Sequence, residues 1–420
     1  MGSIAGRFKW PWAIPAFWVM LVGSAMCQDG GPPAAVNGPT PPRPSSDNLS
    51  GLSPAGAHHG EVYPPLGLSP DYWPSPCCGA EQYDPTQSCC PDKSDFFLIP
   101  PRLGWYAVAD GVALRRNPTR GVDFAATEVL PTGGGAPPNI VLSTRDFNYD
   151  FAGGGHILIG HTINECFQFE GAYTAIGESN DTAAIRDTTP NALGGQGNLF
   201  SPFGGFGANP IAGLDYNNFA QIHYISSMQT GEFNIRRQLP MPPEKLTASI
   251  LFGVRYVGLP ENFFYNTQSD VPAPHGATNS IHVATNNQLV GPQIGALFEF
   301  NAENRWWVNF EMKAAVMNNR ADQSTTYHNV DSQGVAHDYS GSEEENHTSF
   351  AGQLDLTFVY RWSPHFTTRL GYQALWLTGM ALAPDNLNTN IDILTQGPAQ
   401  LNHGSGTLYH GPYAGLMVGW

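Results

Sequence analysis

Two pairs of adjacent cysteines are the residues with the most evident chemical potential. Cys77-Cys78 and Cys89-Cys90 lie in a proline-rich stretch with ten residues between the pairs. In an oxidising compartment such pairs form disulfides, within the chain or to a partner. Zinc is the alternative, but adjacent cysteines fit a tetrahedral site less well than the spacing of zinc fingers. We predict disulfide candidates at Cys77, Cys78, Cys89 and Cys90 and no metal site.

The segment Asp385–Asp392 offers Asp and Asn oxygens at alternate positions, which is one way to bind calcium. The glycine and the closing glutamate of a calcium loop are absent. We therefore interpret the segment as an Asx-rich surface turn.

Catalytic motifs are absent: the sequence contains no Gly-x-Ser-x-Gly elbow, phosphate-binding loop, His-Glu-x-x-His helix or dinucleotide fingerprint. A protease site assembled from scattered residues would have to use candidates such as Asp146, His156, His161, Asp215 and His223. We predict a protein that is not an enzyme, with no catalytic residues and no cofactor.

The charge of the chain restricts its partners. It has 19 basic and 35 acidic residues, a formal net charge of −16, which argues against a nucleic-acid partner. Charged residues are only 13% of the chain, whereas there are 47 glycines and 36 prolines. This composition argues against a helical bundle and suits strands joined by loops.

The N-terminal part predicts export. Residues 1–27 carry Arg7 and Lys9, then an apolar run from Trp10 to Val22, as in a secretory signal peptide that is cleaved. The alternative is a retained membrane anchor. The apolar run argues against it, because it is shorter than the ~20 residues that span a bilayer. Residues 28–102 lack periodicity and predict a disordered, Pro-rich, Cys-containing periplasmic arm.

From residue 103 to residue 420 the pattern becomes that of long strands. Residues 247–257, 305–317, 353–362 and 366–376 alternate apolar and polar side chains. Each segment reaches the ~9 to 11 residues that a tilted strand needs to cross a bilayer. Charged side chains in mid-strand favour a barrel, in which they face the lumen, over a soluble sandwich.

The connections predict an up-and-down antiparallel transmembrane β-barrel of about ten strands (10–12). Short turns fall at about 164, 240–244, 301–304 and 363–365, with both termini on their side of the membrane. Long loops are predicted at about 115–144, 177–217, 267–280, 318–349 and 381–406. The alternation of short turns with long loops requires 218–238 to be one strand. We expect a bulge near Gly231, because the apolar residues of this strand change phase there.

The phase of the alternation divides the side chains into two faces. The predicted pore-lining residues are Arg255, Glu299, Glu311, Lys313, Asp355, Arg361, Arg369 and Gln373. The predicted membrane-facing residues are Phe252, Trp306, Phe310, Phe358, Tyr360, Trp362, Tyr372, Trp376 and Trp420. A barrel of this size is narrow, so a salt-bridged plug and a conducting pore both remain open.

Four segments resemble the putative beta-barrel porin family of planctomycete-type outer-membrane proteins. They are Gly154–Gly160, Leu251–Leu259 followed by Glu261, Thr285–Gly295 and Leu370–Trp376, and the resemblance covers roughly residues 103–395. It implies an outer-membrane barrel with a porin role and no catalytic residues.

The functional prediction is an outer-membrane porin for passive diffusion of small polar solutes. The expected partners are outer-membrane lipid, the barrel assembly machinery through the C-terminal strand that ends at Trp420, and cell-wall components through the N-terminal arm. Two alternatives stay open. One is a non-conducting structural or adhesive barrel that displays surface loops, and the other is a soluble secreted β-sandwich that binds glycans.

Overall fold

Strands dominate the part of the chain that the computed structural model describes, which is residues 104–118, 121–127, 138–163, 167–211, 213–239, 246–270, 276–303, 305–397 and 399–420. The strands are β1 (Gly104–Pro118), β2 (Asp123–Thr127), β3 (Asn139–Ser143), β4 (Phe151–Thr162), β5 (Phe167–Arg186), β6 (Leu199–Phe200), β7 (Asn217–Leu239), β8 (Leu246–Ser269), β9 (Ala277–Glu303), β10 (Trp306–Val330), β11 (Ala336–Ser363), β12 (Phe366–Met380) and β13 (Ser405–Gly419), and a helix, α1, spans Ile391–Gln396.

Ten strands close into an antiparallel barrel. Around the ring the order is β1, β4, β5, β7, β8, β9, β10, β11, β12 and β13, and β13 pairs with β1. Trp105 and Trp420 exchange two backbone hydrogen bonds of 3.0 and 2.9 Å at this closure. The predicted fold class, an up-and-down transmembrane β-barrel of about ten strands, is confirmed.

The two ends of the barrel differ in their connections. At one end, which we call the turn end, the strands are joined by residues 163–166, 240–245, 304–305 and 364–365, and Trp105 and Trp420 lie there too. The other end, the cap end, carries longer connections at 119–150, 187–216 and 381–404, together with two short ones at 270–276 and 331–335. This alternation is typical of outer-membrane barrels.

The outer wall carries a continuous apolar band. On β11 it runs from Phe350, which is 54% exposed, to Trp362, which is 64% exposed. This stretch measures about 40 Å along the strand and about 28 Å along the barrel axis at a tilt of about 45°, close to the thickness of a bilayer core. All nine predicted membrane-facing side chains lie on the outer face, and six of them, Phe252, Phe358, Trp362, Tyr372, Trp376 and Trp420, are at least 39% exposed. Trp306, Phe310 and Tyr360 on the same face are partly buried by neighbouring side chains.

The soluble β-sandwich alternative is wrong. A sandwich needs two stacked sheets that seal the apolar faces between them. Here the sheet closes on itself, so Phe358 and Tyr372 remain exposed at 44% and 47%, while Glu299 and Asp355 are buried inside.

The bulge expected near Gly231 is also wrong. β7 is one strand, as predicted, and Gly231 pairs in regular register with Tyr173 on β5 and Tyr256 on β8. The apolar set changes faces because the surroundings change. Near the cap end Tyr224 faces a protein-filled interior, whereas near the turn end Phe233 faces outward. The irregularity lies in β5, between Ile176 and Ser179.

The predicted long loop 318–349 is an extension of the barrel wall. β10 and β11 remain paired from Asn318 opposite Thr348 as far as Val330 opposite Ala336. Only residues 331–335 form the turn, with Gly334 at φ +80°. The outward side chains of this extension are polar, so the sequence lacks the apolar alternation by which strands in lipid are recognised. The other predicted loops are shorter for the same reason: β1, β5, β8 and β9 extend into their ranges.

The described parts of the cap-end connections fold into the mouth of the barrel. β2, β3 and β6 form a small sheet that joins β7 through Leu199 and Asn217. Among the described residues, no helix has the length and hydrophobicity of a membrane span. Residues 1–103, with the predicted signal peptide, arm and four cysteines, lie outside the described residues.

Candidate functional site in the barrel interior

The interior of the barrel consists of three layers. From the turn end upward they are a charged cavity, an apolar layer crossed by a buried ion pair, and an apolar cap built from the cap-end connections. Each layer joins side chains from strands that are distant along the chain, including strands that face each other across the lumen.

The charged cavity has a volume of about 160 Å³, and all ten barrel strands contribute to its lining. The lining alternates with the outer band along each strand, because successive side chains of a strand point to opposite faces. On β10, for example, Trp307, Asn309, Glu311 and Lys313 line the cavity.

Ion pairs fill one side of this cavity. Arg236 on β7 contacts Glu170 on β5 and Glu311 on β10, each at 2.9 Å. Lys313 contacts Glu311 and Glu232, each at 3.2 Å. Because β7 and β10 are three positions apart in the ring, these contacts cross part of the lumen.

The opposite side of the cavity is built on β1, β4 and β12. Asp110 lies 2.9 Å from His156 and 3.7 Å from Arg369. The guanidinium of Arg369 also lies over the ring of Tyr413, 5.7 Å from its centroid. These contacts hold Arg369 beside the wall.

The structure places the predicted pore-lining side chains in the interior. Glu299, Glu311, Lys313, Asp355, Arg369 and Gln373 line the cavity. Arg255 is buried beside them and pairs with Glu232. Arg361 lies over the Trp307 ring, 5.6 Å from its centroid. That these residues line a conducting pore remains a prediction.

Sequence reasoning missed several interior residues, among them Glu170, Glu232 and Arg236. Glu232 and Arg236 fell in the stretch where a bulge was expected, so their facing was left unassigned. The polar residues at every second position of 230–236 were the signal that could have identified them.

The apolar layer lies above the cavity. Its buried members include Leu114, Met228, Leu259, Leu289, Met317 and Leu377. Arg116 on β1 forms an ion pair of 2.8 Å with Glu261 on β8, and the two side chains are 5% and 0% exposed. In a ring of ten strands, β1 and β8 are four positions apart, so this pair spans almost the full width of the lumen.

Further contacts hold the Arg116–Glu261 pair in place. Arg116 donates a hydrogen bond of 3.0 Å to the Thr407 hydroxyl, and its guanidinium lies 4.9 Å from the centroid of the Tyr224 ring. The hydroxyls of Ser226 on β7 and Tyr409 on β13 lie 3.4 Å apart, a second contact between strands four positions apart in the ring.

Polar side chains bind the start of the β12–β13 connection inside the barrel. Asn287 exchanges two hydrogen bonds with the backbone of Ala381, at 2.8 and 2.9 Å. Glu261 accepts a hydrogen bond of 2.8 Å from the backbone N–H of Ala383. Ala381 and Ala383 are fully buried as a result.

The cap itself is aromatic. Phe124 on β2 packs against Phe263, with ring centroids 4.9 Å apart, and its carbonyl accepts a hydrogen bond of 2.9 Å from Tyr265. In the 187–216 connection, Asp215 accepts hydrogen bonds from the backbone of Ser201 (2.6 Å) and Ile211 (2.8 Å). Burial raises the pKa of Asp215 above its usual range despite these bonds.

The candidate catalytic residues do not come together. His156 faces the cavity. On the outer face, the His161 and Trp105 rings are tilted against each other with centroids 4.6 Å apart, and His223 Nε2 lies 2.8 Å from Asn180 Oδ1. Asp215 is an anchor within the cap. No group of three or more potential metal ligands occurs in the part of the chain that the structure describes.

The Asp385–Asp392 segment forms Asx turns. The Asn388 side chain accepts a hydrogen bond of 2.9 Å from the backbone of Asn390. The Asn390 side chain in turn accepts one of 3.0 Å from the backbone of Asp392, at the start of α1. These oxygens are therefore engaged in local turn formation.

A family model described as Putative beta barrel porin-7 (BBP7) matches residues 132–406. No curated protein matches the chain. Among solved structures, the chain is similar to the outer membrane protease OmpT from Escherichia coli, with 12% identity and a TM-score of 0.43 over 78% of this chain and 100% of that chain. It is also similar to the toluene transporter TodX from P. putida, with 8% identity and a TM-score of 0.31 over 76% of this chain and 90% of that chain. The two scores carry no conclusion about activity.

Proposed function

Because the chain belongs to the Putative beta barrel porin-7 family, we propose that it is an outer-membrane barrel whose lumen is closed to solutes in its resting state. One observation carries this proposal: the Arg116–Glu261 ion pair crosses the lumen with both side chains buried. The apolar layer surrounds this pair, and the described part of the cap lies above it.

This closed barrel serves to display its cap-end structures and to link the membrane with its surroundings. The extended β10–β11 hairpin supports this, because its outward face is polar above the apolar band. Outer-membrane lipid contacts the band, the assembly machinery recognises the C-terminal strand, and the N-terminal arm reaches cell-wall components after removal of the signal peptide.

Conductance of the purified full-length protein in planar bilayers tests closure. We expect no steady ion current from the unmodified protein. In a matched variant, a short Gly-Ser linker replaces residues 381–402, and we expect intermittent or steady current because the segment that Asn287 and Glu261 hold inside the barrel is removed. A steady current from the unmodified protein would contradict closure at rest.

Passive passage of small polar solutes is the second candidate, and the charged cavity supports it. Passage requires the cap and the apolar layer to move aside. The acidic residues 343–345 near the cap end would then raise the local concentration of cations. A reversal potential in a potassium chloride gradient measures this preference in the cap variant, and equal permeability to potassium and chloride would contradict it.

A further inference from the structure

One carboxylate in the charged cavity has no hydrogen-bond or ion-pair partner. Six carboxylates line the cavity in the described part of the chain, and five of them have such a partner. The exception is Glu299 on β9, which is only 5% exposed. Arg236 lies near enough to interact with Glu299 electrostatically, but its hydrogen bonds go to Glu170 and Glu311.

Two further polar atoms beside Glu299 are buried without a partner. Asn309 lies directly opposite Glu299 in the β9–β10 register, and its side-chain oxygen has no donor. Trp307 is the next inward residue toward the turn end, and its indole N–H has no acceptor. Buried polar groups that lack partners cost free energy. Glu299, Asn309 and Trp307 lie together on β9 and β10, so this group of side chains indicates a missing occupant.

The charge balance of the cavity indicates the sign of that occupant. The lining contains six carboxylates and three cations, Arg236, Lys313 and Arg369. Arg255, which pairs with Glu232, and Arg361, which lies over the Trp307 ring, add two positive charges. The formal difference, six minus five, is one negative charge, with histidine counted as neutral. Buried charge without a counter-ion is costly, and a bound cation would offset it.

We propose that the cavity binds a small organic cation, an ammonium compound that also carries a hydroxyl or carbonyl oxygen. Its ammonium group pairs with the Glu299 carboxylate and donates a hydrogen bond to the Asn309 oxygen. Its own oxygen accepts the hydrogen bond of the Trp307 indole. A volume of about 160 Å³ admits a molecule of only a few heavy atoms.

Calorimetric titration of the full-length protein in detergent micelles tests this site, with 2-hydroxyethylammonium chloride as the probe. We expect saturable binding that falls at least tenfold in Glu299→Gln. The matched control is Glu344→Gln, which removes a carboxylate from the exposed Arg320–Glu344 pair on the outer hairpin and leaves binding unchanged. Unheated samples of both variants should still migrate faster than boiled ones on SDS gels, which reports an intact barrel.

A second variant separates the two ends of the ligand. Trp307→Phe keeps an aromatic ring but removes the indole N–H. It should weaken binding of 2-hydroxyethylammonium severalfold and leave binding of ethylammonium unchanged. Absence of saturable binding to the unmodified protein at millimolar probe, or equal binding by Glu299→Gln, would overturn the proposal. Neither result bears on closure, which is read from conductance.

Discussion

Asp331 illustrates how a single side chain ends a hairpin in water. Its carboxylate accepts backbone hydrogen bonds of 2.9 Å from Val335 and from Gln333, at the tip of the β10–β11 hairpin. The bond from Val335 is the main cause that holds the pKa of Asp331 below its usual range. The side chain thereby provides an acceptor for two backbone N–H groups of the turn.

The lowered pKa of Asp331 predicts a pH dependence for this turn. A carboxylate whose pKa is lower in the folded than in the unfolded state stabilises the folded state at pH values above its unfolded pKa of about 3.9. The stabilisation is lost as pH falls through the folded pKa. The amide proton shifts of Gln333 and Val335, followed by NMR, should therefore titrate with a midpoint below 3.9. Asp331→Asn should abolish the titration, and a midpoint at or above 3.9 would contradict the assignment.

At the scale of the strand, β10 and β11 each lie partly in lipid and partly in water. Near the turn end their outward residues are apolar, and beyond Val316 and Phe350 the outward residues are polar, such as Thr326 on β10. The pairing continues unbroken through this change. Strand formation therefore depends on backbone pairing. The outward residues indicate the solvent instead, because they are apolar in lipid and polar in water.

A lysine substitution on the outer face measures where the membrane begins. Leu356 lies midway along the apolar band of β11 and is 54% exposed. Leu356→Lys should destabilise the folded barrel by about 2–4 kcal/mol, because a charge at the bilayer midplane is costly. Thr326→Lys, on the exposed outer face of the extension, should stay within about 0.5 kcal/mol. Guanidinium unfolding in lipid vesicles measures both changes in the free energy of unfolding. Equal changes would contradict the position that we assign to the apolar band.

At the scale of the molecule, the barrel is held together across its lumen as well as around its ring. Arg116 and Glu261 are 145 residues apart in the sequence, and their pair also fixes the cap, because Glu261 binds the backbone of Ala383. Closing the ring brings the two strands face to face. The ion pair is buried by the apolar layer, so its partners depend on each other.

A double-mutant cycle measures this dependence. Glu261→Gln should destabilise the barrel by about 3–5 kcal/mol, because it leaves the Arg116 guanidinium buried without a counter-ion. Adding Arg116→Met to that variant should recover part of the loss, since the unpaired charge is removed. The measurement is again guanidinium unfolding in vesicles. Additive effects of the two substitutions would show that the pair is not coupled.

Much of this architecture could be predicted from the sequence. Alternation in segments such as 305–317 identified strands, short turns beside Trp306 and Trp362 set one end of the barrel, and phase assigned residues such as Lys313 and Phe358 to opposite faces. Two features misled the prediction. The interior near the cap end is apolar, which reversed the pattern around Tyr224, and the hairpin extension is polar on its outer face, which hid strands between 318 and 349.

The sequence by itself determined the strands, their approximate number and their order along the chain, because the two-residue period follows from local backbone geometry. Only the tertiary structure decided which solvent each face meets and which distant side chains touch. The Arg116–Glu261 pair, the inserted cap and the unpartnered Glu299 all depend on ring closure. The two-residue alternation indicates the face of the sheet on which a side chain lies. The side chains that it contacts on that face come from strands that are distant in the sequence.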